Sequence, residues 1–167
     1  DAVIPFALVT TDIETGEEVV LSTGKLKDAI RASCTVPGVY QPIRVGKRLL
    51  VDGGIRNNVP VDLAYRMGAT HTIAVDVGYC VKKGRIDNSL ALIFQALQIV
   101  CDELNKYQAK RADVVIAPPL GEIDQLAFDR AKEIIGIGEQ SALKALPEIR
   151  RMLRRPRVVG FMSYLWR

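Results

Sequence analysis

The sequence predicts an α/β fold in which helices lie on both faces of a mixed, mostly parallel sheet. Short runs of apolar and β-branched residues alternate with segments of helical periodicity along the chain, which is the pattern of such folds. The run at residues 72–77 is almost continuously apolar, as in a strand covered on both faces. The chain is 49% hydrophobic and 25% charged, which fits a globular protein with a buried core.

The individual elements follow from local patterns. A Glu14-Thr15-Gly16 turn predicts a hairpin between residues 6–12 and 17–22, and Gly46-Lys47 predicts a second between 43–45 and 49–51. Further strands are expected at 72–77 and 114–116, and helices at 25–34, at 60–67, over about twenty residues from Leu90, and at 129–146. Because only four or five strands are visible, we expect the sheet to continue in a segment that this chain lacks.

The chain divides into a main domain at residues 1–146 and a basic, aromatic tail at 147–167, where Pro147 begins a shorter helical piece. After position 143, seven basic residues face one acidic residue, while the whole chain carries a net charge of only +4. The basic character is thus confined to the tail, which argues against a nucleic-acid partner. The tail is either a peripheral membrane contact or a solvated helix end followed by a docking segment.

No apolar run is long enough to span a bilayer, and no signal-peptide pattern opens the chain. We therefore expect a cytoplasmic protein, with peripheral membrane contact through the tail as the open alternative. The three cysteines Cys34, Cys80 and Cys101 are too widely spaced for a zinc knuckle or redox pair. No metal site and no cofactor are predicted.

Asp52-Gly53-Gly54 is the segment most suggestive of chemistry. An Asp-Gly pair after an alternating apolar run is typical of a tight turn, but a carboxylate at the end of an α/β strand also lies where ligands bind in such sheets. No Gly-x-Ser-x-Gly nucleophile motif occurs in the chain, and the one histidine, His71, opens a predicted strand. From the residues alone, Asp52-Gly53-Gly54 is either a tight turn or the site of a catalytic base.

Two short motifs follow one another between residues 32 and 54. Residues 32–38 read Ala-Ser-x-x-x-Pro-Gly, and Asp-Gly-Gly follows at 52–54, with Thr11-Asp12 before and Asn58-Val59-Pro60 after. In this order and spacing the motifs resemble bacterial patatin-like phospholipases. The likeness is strongest over residues 4–78 and continues more weakly to about Leu146. This chain resembles the C-terminal half of such an enzyme.

The resemblance implies a lipid acyl hydrolase that uses a Ser-Asp dyad on a phospholipid, lysophospholipid or simple acyl ester. Asp52 takes the position of the catalytic aspartate, while the serine belongs to an N-terminal half that is missing here, so the isolated chain is expected to be inactive. Ser33, Pro37, Gly38, Gly53 and Gly54 are expected by similarity to line the substrate site. The chain begins directly in an apolar strand pattern without methionine, and we therefore expect a cut chain.

Two other functions remain open from the sequence. One is a non-catalytic α/β module that binds lipid or a membrane surface through the tail. The other is a small-molecule-binding domain in which Asp52-Gly53-Gly54 is only a turn. Substitution of Asp52 in the complete protein distinguishes the hydrolase from both alternatives, because only the hydrolase should lose ester hydrolysis.

Overall fold

A computed structural model describes residues 3–78, 86–121, 123 and 127–154. The chain forms two compact units. The first comprises Asp1–Pro60 and Val81–Gln108, and the second comprises Val61–Cys80 and Ala109–Arg167.

The first unit is built on a four-stranded antiparallel sheet in the order β2-β1-β4-β3. Its strands are β1 (Leu8–Asp12), β2 (Glu18–Leu21), β3 (Ile43–Val45) and β4 (Arg48–Asp52). Two hairpins supply the outer pairs, and the central pair joins them, with Thr10 of β1 opposite Asp52 of β4. The residue that ends β4 is therefore placed beside the middle of β1.

Three helices belong to this unit: α1 (Leu26–Ser33), the short α2 (Gly54–Asn57) and α4 (Ser89–Ala109), whose last residue reaches the second unit. α1 packs on β1 and β4, and α2 packs on β1. The small residues Ala29 and Ala32 of α1 are buried, as are Leu50 and Val51 of β4. Small side chains on the buried face of α1 let the helix approach the sheet closely.

The second unit contains α3 (Val61–Arg66), β5 (Ile73–Val75), β6 (Val114–Ile116), a 3₁₀ turn (Phe128–Arg130) and α5 (Ala131–Arg154). β5 and β6 pair in parallel. The Asp113 carboxylate accepts hydrogen bonds from the Tyr65 hydroxyl at 2.6 Å and from the Thr72 N–H at 2.8 Å. These bonds join α3 to the start of both strands.

The α/β class is confirmed, and both hairpins form where the turn residues predict them. The parallel component is small. Among the described residues it is confined to β5 and β6, because short hairpin connections can join only antiparallel neighbours. The structure thus adds an antiparallel four-stranded sheet to the expected parallel pairing.

The predicted helix break at Pro147 is wrong, since α5 continues through this residue to Arg154. Proline removes one N–H donor from the helix ladder, and the flanking residues favour helix strongly enough to continue beyond it. The boundary between residues 146 and 147 stays a prediction, and residues 155–167 of the expected tail lie outside the described residues. None of the described helices is long and apolar enough to cross a membrane.

Candidate active site

Asp52 is the last residue of β4, directly after the buried pair Leu50 and Val51, each 1% exposed. These two side chains point to opposite faces of the sheet, so β4 is covered on both faces just before Asp52. The N–H of Asp52 donates a hydrogen bond of 2.8 Å to the carbonyl of Thr35. The backbone of Asp52 is therefore held from the segment that follows α1 as well as from β1.

The Asp52 carboxylate is partly buried and accepts a hydrogen bond of 2.8 Å at Oδ1 from the N–H of Gly54. Burial raises the pKa of this carboxyl above its ordinary value of 3.8, and the Gly54 hydrogen bond opposes the shift. Across the part of the chain that is described, Gly54 is the one hydrogen-bond donor to this carboxylate. Oδ2 is consequently available to a further partner.

Gly53 joins β4 to α2 at a point where the chain passes very close to β1. A Cβ atom at this position would lie 2.4 Å from the carbonyl oxygen of Val9, a separation that no side chain tolerates. The φ angle of Gly53 is −70°, so close approach and not a left-handed conformation requires glycine here. Asp52-Gly53-Gly54 is a strand-to-helix junction and not the bend of a hairpin.

Ser33 is the last residue of α1, and its hydroxyl donates a hydrogen bond of 2.8 Å to the same Val9 carbonyl. Ser33, Gly53 and Gly54 are therefore gathered around Asp52 and β1. The grouping brings together residues that are up to about forty positions apart in the chain. Sequence spacing alone does not predict it.

Pro37 and Gly38 lie in the loop after α1 and are held by other contacts. Pro37 forms an isolated bridge with Tyr40, and Gly38 has a φ of +84°. A Cβ on Gly38 would lie 2.8 Å from the ring of Phe94 in α4. No hydrogen bond between described residues joins either of them to Asp52, so their substrate contact stays a prediction.

Thr35 and Val9 contribute to the site through backbone atoms, and sequence reasoning missed both. Thr35 is 3% exposed, and its hydroxyl donates to the Arg31 carbonyl at 2.7 Å. The sequence did contain a signal for Thr35, which is a polar residue inside the motif between Ser33 and Pro37. A backbone acceptor such as the Val9 carbonyl leaves no signal in the sequence.

The arrangement provides a carboxylate that can accept a proton but no hydroxyl or thiol for it to activate. Within the described ranges, no serine, threonine or cysteine side chain is hydrogen-bonded to Asp52. His71, which lies in the second unit, has its Nδ1 3.1 Å from the Thr70 hydroxyl. No cluster of three potential metal-ligating side chains occurs among the described residues.

A pocket of about 600 Å³ lies elsewhere in the first unit. It is lined by Phe6, Leu8, Leu21, Ala29 and residues 22–27. Asp52 is not among its lining residues. The pocket is therefore distinct from the candidate active site.

Fold and site together define an α/β protein with a partly buried carboxylate at the end of a sheet strand, followed by a glycine-dependent junction. The patatin-like phospholipase family matches residues 1–65, which include Ser33 and all three residues of Asp52-Gly53-Gly54. Residues 1–65 are thus similar to the patatin-like phospholipase family, and most of the matched segment lies in the first unit.

Individual relatives show the same similarity. An uncharacterized NTE family protein of Mycobacterium tuberculosis is 27% identical over 174 residues, which cover 87% of this chain. The human patatin-like phospholipase domain-containing protein 6 is 44% identical over 80 residues, or 47% of this chain, and a neuropathy target esterase of Drosophila melanogaster is 39% identical over 80 residues, also 47%.

These relatives are much longer than the region they share with this chain. The matched region spans 30% of the mycobacterial protein and 6% of the human and Drosophila proteins. The similarity links this chain to proteins named as phospholipases and esterases. Which residue attacks the substrate, and which substrate it is, belong to the proposal below.

Proposed function

We propose that the complete protein hydrolyses acyl esters of lipids, such as phospholipids or lysophospholipids, by a Ser-Asp dyad in which Asp52 is the base. The observation that carries the proposal is the Asp52 carboxylate. It is partly buried at a strand end, held through Oδ1 alone, and lies inside the segment that matches the patatin-like phospholipase family. The nucleophilic serine would come from a segment outside these 167 residues.

In the proposed reaction, the serine oxygen attacks the ester carbonyl carbon while its proton passes to Asp52. The tetrahedral intermediate collapses, the alcohol leaves with that proton, and the acyl group stays on the serine. Water then attacks the acyl-enzyme and gives its proton to the Asp52 carboxylate. Release of the fatty acid returns the proton to the serine, so Asp52 ends the cycle ionised.

The direct test is Asp52→Asn in the complete protein with a chromogenic acyl ester as substrate. An amide cannot accept the serine proton, so we expect kcat/KM to fall by about 10³-fold, within the usual range for loss of a general base. Activity within about threefold of the unaltered protein would overturn the proposal.

Asp12→Asn provides a matched control. Asp12 ends β1 as Asp52 ends β4, and its Oδ1 accepts a hydrogen bond of 3.1 Å from the N–H two residues further on, that of Glu14. The control removes a carboxylate in the same local geometry from the neighbouring strand. We expect it to retain kcat/KM within about twofold, since it takes no part in proton transfer.

A complementation experiment tests the expected inactivity of the isolated chain. The 167 residues alone should release no product from the ester, because they contain a base without its nucleophile. Mixing them with a polypeptide that carries the nucleophile segment should restore hydrolysis, and Asp52→Asn should abolish it again. Hydrolysis by the 167 residues alone would contradict the dyad.

We also propose that the basic end of α5 contacts anionic lipid surfaces. Arg150, Arg151 and Arg154 are exposed in the last two turns of this helix, and each arginine near a membrane surface contributes about 1 kcal/mol. Replacing all three by glutamine should weaken binding to phosphatidylserine vesicles at least tenfold. Arg44→Gln, at an exposed arginine of β3, is the control, and equal binding by both variants would contradict the contact.

A further inference from the structure

The Val9 carbonyl in β1 is contacted from two sides. The Ser33 hydroxyl donates to it at 2.8 Å. Gly53 approaches it so closely that a Cβ there would lie 2.4 Å from the oxygen. The position of this one carbonyl is thus linked both to the end of α1 and to the junction that follows Asp52.

The residues that end α1 bind both central strands of the sheet. Ser33 bonds to β1, and two residues later the carbonyl of Thr35 accepts the N–H of Asp52 in β4 at 2.8 Å. The Thr35 side chain is buried and bonded back to the helix at Arg31. This 33–35 segment is a short bridge across the pair of strands that meet at Thr10 and Asp52.

The Ser33 hydroxyl has one proton, and that proton is given to Val9. A serine used in this way cannot donate the same proton to a substrate. Without the hydroxyl, the Val9 carbonyl would lose a partner and the 33–35 segment would lose its bond to β1. The Gly53 junction, which rests against that carbonyl, would then be free to shift.

We propose that Ser33 is a positioning residue that holds Asp52 in place by binding the Val9 carbonyl, and that it does not contact the substrate. This inference rests on the proposed role of Asp52 as the base. Proton transfer depends steeply on distance, so a displacement of Asp52 well below 1 Å is enough to slow the chemical step. Substrate binding, which this bond does not touch, should change little.

The test is Ser33→Ala in the complete protein, measured as kcat and KM on the chromogenic ester. We expect kcat to fall about tenfold while KM stays within about twofold. Ser33→Thr, which restores a hydroxyl, should recover most of kcat. An altered KM with unchanged kcat would assign Ser33 to substrate binding and overturn the proposal, as would unchanged values of both.

A double-mutant cycle separates positioning from general loss of stability. If Ser33 acts through Asp52, adding Ser33→Ala to Asp52→Asn should lower the residual kcat by less than about twofold. An undiminished tenfold loss in that background would show that Ser33 acts by another route.

Ser141→Ala is the matched control variant. The Ser141 hydroxyl also donates to a backbone carbonyl, that of Ile137, at 2.9 Å, and it lies in α5 of the second unit. Its loss should leave kcat within about twofold. An equal effect of the two alanine variants on kcat would overturn the proposal.

If Ser33→Ala does not fold, Ser33→Cys replaces it, since a thiol is a weaker donor to the same carbonyl. We expect an intermediate kcat for that variant. Failure of both to fold would assign the hydrogen bond to stability alone and overturn the proposal. The two hypotheses fail separately: full activity of Asp52→Asn removes the proposed function, whereas inactive Asp52→Asn with fully active Ser33→Ala removes only this inference.

Discussion

Burial raises the pKa of Asp52 above 3.8, and the direction of this shift sets the acidic side of the expected pH profile. Asp52 can accept a proton only when it is ionised, so kcat/KM should fall as the pH drops through its pKa. We predict that the midpoint of this acidic limb lies above 3.8. The measurement is kcat/KM of the complete protein across the acidic range, with stability checked at each pH. A midpoint at or below 3.8 would contradict the burial argument.

The same shift predicts that Asp52 lowers stability at neutral pH. The folded state binds the proton more readily than the unfolded state, so the contribution of Asp52 to folding is fully present below pH 3.8 and is lost as the pH rises through the higher folded pKa. Asp52→Asn stays neutral, and its amide oxygen can still accept from Gly54. We expect its Tm at neutral pH to be higher than that of the unaltered protein.

Thermal unfolding of Asp52→Asn and the unaltered protein at several pH values checks this prediction. The difference in Tm should shrink as the pH falls below 3.8, where the aspartic acid is neutral as well. A lower Tm for Asp52→Asn at neutral pH would show that the carboxylate stabilises the fold.

At the scale of elements, the junction between β4 and α2 depends on Gly53. Gly53→Ala would place a methyl carbon 2.4 Å from the Val9 oxygen, so the junction would have to move away from β1. We predict a loss of about 1–3 kcal/mol in the free energy of unfolding, together with a lower kcat because Asp52 precedes the junction. Urea unfolding and ester kinetics measure the two effects.

Gly136→Ala is the control for that substitution. Gly136 lies inside α5, and a Cβ there would meet nothing within 4 Å. Alanine in an open helix interior should add about 0.5–1 kcal/mol of stability. Opposite signs for the two glycines are expected, and a Gly53→Ala variant as stable as Gly136→Ala would refute the close contact.

Local patterns predicted most elements but not how they assemble. Both hairpins follow from Gly16 and Gly46, which have positive φ and occupy the predicted turns. The pairing of β1 with β4 joins residues about forty positions apart, and no turn residue encodes it. At Pro147 the local pattern was misleading. Proline predicted a helix break, but the helical preference of the neighbouring residues outweighs it and α5 continues.

At the scale of the whole molecule, the β5–β6 sheet exposes apolar side chains on both faces. Ile73 and Val75 lie on one face and Val115 lies on the other, because paired residues of neighbouring strands share a face. Ala74, Val114 and Ile116 are buried, whereas Ile73, Val75 and Val115 are 45%, 56% and 40% exposed. Parallel strands are normally covered on both faces. The longer relatives contain further chain beyond the region that they share with this one.

We predict that the 167 residues alone bind a hydrophobic dye and self-associate through these exposed side chains. The double substitution Ile73→Thr and Val75→Thr should reduce both, since threonine keeps the β-branched shape and adds a hydroxyl. Val45→Thr, at an exposed valine of β3, is the control. Dye fluorescence and light scattering measure the effect, and a monomeric chain that binds no dye would contradict it.

The sequence by itself determined the α/β class, the hairpins and helices, and the place of Asp52 at a strand end beside two glycines. These features depend on periodicity and turn residues within about ten positions, which a linear pattern contains. Only the tertiary structure decided that Ser33 binds the Val9 carbonyl, that Gly53 must be glycine for lack of space, and that burial raises the pKa of Asp52. Each of these depends on atoms brought together by the pairing of β1 and β4, and distance and burial in such contacts are set by packing between remote segments.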